Sequence, residues 1–86
     1  MFGGECGTVV FRAKKKILND VIDWFGKDVR FFEETEDEIS VSVRVNYQAM
    51  KYWAMQYASF VTVTSPPSLV DEIRATIAAA AEKYQQ

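Results

Sequence analysis

Ile39-Ser40-Val41-Ser42-Val43-Arg44-Val45 alternates aliphatic and polar residues without a break. Side chains of a strand point to opposite faces with period two, so Ile39, Val41, Val43 and Val45 share an inward face and Ser40, Ser42 and Arg44 an outward one. Just upstream, residues 29–33 (VRFFE) form a second β-rich run, joined to the first by Glu34-Thr35-Glu36-Asp37-Glu38. The alternation fixes the register. Glu33 opposite Ile39 places Phe31 against Val41 and Val29 against Val43, all on one face, whereas a slip of one residue brings Arg30 against Val41. A hairpin with an odd-length connection follows, its acidic tip solvated and mutually repelling.

Outward from this hairpin the period changes twice on the upstream side and three times downstream. Residues 8–13 (TVVFRA) read as a strand with Val9 and Phe11 on one side and Val10 and Arg12 on the other. From Lys14, Ile17, Leu18, Val21, Ile22 and Phe25 recur at three- and four-residue steps, with Asn19, Asp20 and Asp23 opposite. That spacing predicts an amphipathic helix of about three turns, stopped by Gly26 in a left-handed conformation. Downstream, Asn46 is a good N-cap for a helix over 47–57. Tyr47, Met50, Trp53 or Ala54, and Tyr57 form its core face, and Tyr52 and Met55 lie elsewhere on the wheel. Residues 60–64 (FVTVT) give a further strand with Val61 and Val63 inward, ended by Ser65-Pro66-Pro67-Ser68. A last helix over 67–84 carries Val70, Ile73, Ile77, Ala80, Ala81 and Tyr84 as its stripe, with Asp71 and Glu72 at the positive end of its dipole.

The order β-α-β-β-α-β-α defines an α+β chain: a ferredoxin-like βαββαβ sandwich with a four-stranded antiparallel sheet, helices on one face, and an extra C-terminal helix. Right-handed crossovers leave few other solutions. Residues 1–7 (MFGGECG) are glycine-rich and aperiodic, and read as a leader or a junction from a longer protein. Residues 8–86 read as a single ferredoxin-like domain.

Composition narrows the chemistry. The 86 residues hold 10 Lys+Arg, 12 Asp+Glu and no histidine, for a net charge of −2. A chain this short buries only about 60–65% of its unfolded surface, so marginal stability and dependence on a partner are expected. No apolar run approaches the roughly 18 residues of a membrane span, and no signal peptide opens the chain. Without histidine there is no imidazole acid, base or metal ligand. Cys6 is the one cysteine, which suits a reducing cytoplasm, and with no histidine beside it nucleophilic catalysis is not expected. Glu33, Glu34, Glu36, Asp37 and Glu38 lack the ligand spacing and central glycine of a calcium loop, and a loop tip cannot desolvate a catalytic acid. The expectation is a protein that is not an enzyme and holds no cofactor or metal.

The surface offers two candidate regions. With helices on one sheet face, the other is lined by Thr8, Val10, Arg12, Arg30, Phe32, Ser40, Ser42, Arg44, Thr62 and Thr64. Arg30 and Arg44 fall near one end and Arg12 near the other, beside the acidic connection. Arg12, Arg30, Phe32 and Arg44 therefore mark either a docking face for an anion, a nucleic acid or another domain, or an ordinary solvated face. Stacking aromatics on the two central strands and a basic surface are both missing, so direct nucleic-acid binding is not expected. Acylphosphatase-type chemistry would need a glycine-rich phosphate loop, which Phe11-Arg12-Ala13-Lys14-Lys15-Lys16 does not supply. Lys14, Lys15 and Lys16 oppose the dipole of the helix they open, as a solvated cluster or an anion site. The second region is apolar. Tyr52 and Met55 suit an interface, and burying Val70, Ile73 and Ile77 is worth about 1.5–3 kcal/mol each. Those three must meet the sheet edge, a partner domain or a second copy.

Phe60-Val61-Thr62-Val63-Thr64-Ser65-Pro66-Pro67-Ser68-Leu69, leading into a helix that closes at Tyr84, resembles the strand, proline, leucine, long helix and tyrosine ending of the C-terminal extension domain (WCX) of bacterial WYL-domain helix-turn-helix transcriptional regulators. Residues 49–57, with Trp53 in their middle, resemble the preceding helix of that family. Trp24-Phe25-Gly26-Lys27-Asp28-Val29 resembles the end of its first helix, and Met1-Phe2-Gly3-Gly4-Glu5 the junction that follows the WYL barrel. Tyr57-Ala58-Ser59 departs from the glycine often found at that turn. The resemblance covers nearly the whole chain. It implies a non-enzymatic, cytoplasmic accessory domain that mediates dimerisation or domain packing and couples a regulatory signal, with its own WYL barrel and helix-turn-helix domains and a second copy as partners. The alternative is a sensor of the same fold, holding a small anionic effector on Arg12, Arg30 or Arg44.

Overall fold

The alternation at 39–45 becomes the long strand β3 (Glu38–Asn46), one residue longer at each end than the pattern suggests. Around it a computed structural model, which describes residues 6–84, arranges β1 (Cys6–Lys14), α1 (Leu18–Phe25), β2 (Arg30–Phe32), α2 (Tyr47–Gln56), β4 (Val61–Ser65) and α3 (Pro67–Glu82). The sheet runs β2-β3-β1-β4 and every pairing is antiparallel. With the helices, this is the ferredoxin-like sandwich and its added C-terminal helix. Of the leader or junction read at residues 1–7, residues 1–5 lie outside the described residues. Cys6 and Gly7, by contrast, extend β1, pairing with Asn46 and Val45.

The hairpin register is the one that alternation requires: Phe31 faces Val41 and Arg30 faces Ser42. β1 then places Phe11 against Val41 on one side and Val63 on the other. Its inward residues Val9, Phe11 and Ala13 are buried with Val41, Val43, Val61 and Val63 from the sheet and Ile17, Val21, Met50, Trp53 and Leu69 from the helical layer. An aromatic cluster holds the centre. The Trp53 ring lies 5.3 Å from Phe11, 4.9 Å from Phe25 and 5.0 Å from Tyr57, edge-on to Phe25. Among the described residues the buried Trp53 indole N–H has no hydrogen-bond partner, a cost of about 1–3 kcal/mol that the ring contacts must offset.

Local chemistry sets the helix ends. Asn46 caps α2, its Oδ1 accepting from the Ala49 N–H at 3.0 Å. Lys15–Ile17 forms a 3₁₀ turn before α1 begins. Gly26 stops α1 with φ 69° and ψ −143°. That is a positive φ but not the left-handed helical conformation expected, and it is a region open essentially to glycine alone.

Two expected stripes are narrower than their spacing suggests. Ile22 is exposed, since Ile17, Val21 and Phe25 already fill the line of four-residue steps toward the sheet. On α3 the buried anchor is Leu69, with Val70 and Ile73 half-buried against the core. Ile77 is 44% exposed and Tyr84 89%. A helix of 16 residues spans about 24 Å, longer than the roughly 17 Å of the five-residue β4 beside it. The outer half of α3 therefore outruns β4.

Candidate functional site

On the open sheet face, cross-strand pairing decides which cations are engaged. Arg12 sits opposite Ser40, donates from Nη1 to its Oγ at 2.8 Å, and meets Glu38 Oε1 through Nε at 3.3 Å. Lys14 Nζ reaches the other Glu38 oxygen at 3.3 Å, and Lys15 pairs with Glu34. Lys16 stands 4.6 Å from the centre of the Phe60 ring. Each lysine of the run thus has a tertiary neighbour while remaining in contact with solvent. The acidic connection is not simply self-repelling, since two of its carboxylates are neutralised by β1 and the turn after it.

Hydrogen bonding from Lys14 and then Arg12 holds the Glu38 carboxyl below the usual glutamate range. A carboxyl acid strengthened by folding contributes stability above its unfolded pKa and loses it as pH falls through its lower native value. Glu38→Gln is thus expected to lower Tm at neutral pH and to flatten the acid side of the Tm–pH curve. The wild-type and variant curves should converge at pH values below the ordinary glutamate range. Parallel curves across that window would show that the pair contributes nothing to folding.

Arg30 and Arg44 differ from Arg12. Both are exposed, they lie on one face through pairing with Ser42 and Thr8, and among the described residues no ion pair reaches either. Phe32 is exposed on the same face opposite Ser40. Arg44 also borders a wide depression of about 640 Å³ with Cys6, Asp28, Val45 and Asn46, where Asp28 places an opposing charge. Among the described residues no group of Cys, Asp and Glu is arranged to hold a metal ion, and no helix is long and apolar enough to cross a membrane.

The apolar region resolves into two parts. Tyr52 is 57% exposed on α2 and Met55 half-buried. Val70, Ile73 and Ile77 instead come together as one wall of a groove of about 350 Å³. Its other walls are Val61, Thr62 and Val63 of β4 and Ala54 and Ala58 at the end of α2, and Arg74 is its one charged residue. Lys51 Nζ and Glu72 Oε1, 3.4 Å apart, link α2 to α3 alongside. The part of β4 in this groove was not legible as a site. Its valines read as inward core, and only the strand order makes β4 an edge.

The fold and these surfaces place the chain among small ferredoxin-like α+β domains with an appended C-terminal helix. Its sequence matches the WCX domain family over residues 7–81, nearly its whole length, and the chain belongs to that family. No curated protein matches it significantly.

Proposed function

We propose that this chain is a non-enzymatic accessory domain of a bacterial, cytoplasmic WYL-type transcriptional regulator, working through protein–protein contacts. In the complete regulator it packs against its own WYL barrel and helix-turn-helix domains, supports a homodimer, and couples the regulatory signal between them. WCX membership supports the setting. The observation that carries the contact role is the exposure of Ile77 on the outer half of α3 and of Tyr84 just past its end, together with that of Tyr52 on α2. Interfaces are enriched in such aromatic residues.

Sedimentation velocity over a concentration series, on this chain and on the full-length regulator, tests the reading. Self-association is expected, weakened at least several-fold by Tyr52→Lys combined with Tyr84→Lys. A full-length protein that stays monomeric at every concentration overturns the dimer. The second reading, a sensor for a small anionic effector, draws on the guanidiniums of Arg30 and Arg44, which no ion pair reaches among the described residues. A concentration-dependent rise in Tm with anionic metabolites, abolished by Arg30→Ala and Arg44→Ala together, would favour it.

A further inference from the structure

The two edges of the sheet are built differently. β2 is three residues long, carries Arg30 and runs into Glu33 and Glu34, charges of the kind that protect an edge. β4, Val61-Thr62-Val63-Thr64-Ser65, contains no charge and no proline. The ladder shows where its backbone groups point. Lys15 N–H donates to Asp37 O at 2.8 Å on the β3 side, and Lys14 N–H donates to Phe60 O at 2.9 Å on the β4 side. Successive residues of an antiparallel strand direct both backbone groups to alternate sides. Arg12, opposite Thr62, therefore bonds toward β4 and Thr62 bonds back. Val61 and Val63 face the outer edge. The Val61 N–H is taken by Tyr57 O at 3.0 Å, which leaves the Val61 carbonyl and both backbone groups of Val63 directed outward. Along this same edge runs the groove walled by Val70, Ile73 and Ile77.

We propose that this edge and groove together accept an extended segment of another polypeptide. The segment adds a strand to β4, sets alternate apolar side chains beneath α3, and brings a carboxylate to Arg74. This rests on the contact role proposed above and names the kind of partner. Strand addition draws affinity from main-chain hydrogen bonds and specificity from pockets for alternate side chains, and the two requirements meet here. The charge is complementary. Arg74 is the one charged residue of the groove, and its ion-pair partner is Asp71 at 3.9 Å, both largely exposed. The edge itself selects an extended occupant, because a helix spends its backbone N–H and C=O groups internally and cannot pair with the outward groups of Val61 and Val63. The β4 of a second copy is a poor occupant, because Val61–Ser65 carries no carboxylate to bring to Arg74.

The test uses the whole chain and short synthetic peptides that alternate valine and threonine, with one glutamate or one lysine placed to meet Arg74. The glutamate peptide is expected to bind, to shift the amide signals of Val61 and Val63, and to slow hydrogen exchange at Val63 by about tenfold or more. N-methylation of the peptide amides that face β4 abolishes binding, whereas methylation of the alternate amides leaves it unchanged. Arg74→Glu, at an exposed position that does not endanger the fold, reverses the preference between glutamate and lysine peptides by about threefold to tenfold. Failure of the glutamate peptide to bind at millimolar concentration overturns the proposal. So does binding without protection of Val63, or equal binding by peptides methylated on either edge. Protection of Val63 that grows with protein concentration in the absence of peptide shows a second copy at the edge, and also overturns it. If the peptides fail while the Tyr52 and Tyr84 substitutions still weaken self-association, the contact role stands and only this inference falls.

Discussion

Phe11→Ala is expected to remove about 3–5 kcal/mol of stability, the cost of truncating a fully buried aromatic to alanine. A domain of this size holds on the order of 4–13 kcal/mol in total, so the loss is a large fraction of the whole and comes close to all of it at the lower end of that range. Phe11 is 0% exposed. It sits on the central strand β1, between Val41 of β3 and Val63 of β4, and its ring lies 5.3 Å from Trp53 and 6.0 Å from Phe25. Alanine there removes contacts to the sheet, to α1 and to α2 at once, and a cavity beneath two rigid rings collapses poorly. Urea unfolding followed by far-UV circular dichroism measures the effect. The midpoint should fall sharply with little change in slope, and Phe11→Leu should lose far less because most of the volume is kept. Ile22→Ala, on the exposed side of α1, is the control and should cost little. A Phe11→Ala loss no larger than that of Ile22→Ala would show that the aromatic cluster is not the centre of the core.

Phe11 was legible because strand periodicity is a backbone property that burial amplifies. The alternation at 39–45 fixes the face, the face fixes the hairpin register, and Val9 and Phe11 then have one place to go. The same logic reaches Arg12, whose position beside the acidic connection follows from strand order. It does not reach the partners of Lys15 and Lys16, because Glu34 and the Phe60 ring are set by how a turn and a strand end approach in space. Nor does the stripe on α3 say how far the sheet extends beneath it. Counting apolar positions treats Val70, Ile73 and Ile77 as equivalent, yet cover runs out after Ile73, and the deepest anchor is Leu69, one turn earlier. The groove is invisible to periodicity for a related reason. Its floor is made of strand residues that read as core, and its opening depends on β4 lying at an edge.

Glycine marks the opposite limit, a residue with no side chain for any period to register. Gly7 reads as part of an aperiodic leader, yet it is buried within β1 opposite Val45. A Cβ placed there would lie 2.3 Å from the Tyr47 hydroxyl, 2.9 Å from Cζ and 3.2 Å from Cε1. Glycine inside a strand often marks such a close approach. Tyr47 opens α2 and packs against the core, so its ring cannot withdraw without disturbing that helix start. Gly7→Ala is therefore expected to cost about 1–3 kcal/mol through overpacking, and Gly7→Val more. Removing the hydroxyl with Tyr47→Phe should relieve only part of this, since the ring carbon remains too close. In a Tyr47→Ala background the sign should reverse. With the clash gone, alanine at position 7 restricts the unfolded chain and stabilises by about 0.4–1 kcal/mol. A double-mutant cycle by urea unfolding measures the coupling. If Gly7→Ala costs the same in both backgrounds, the Tyr47 ring is not what excludes a side chain, and the strand itself must demand glycine.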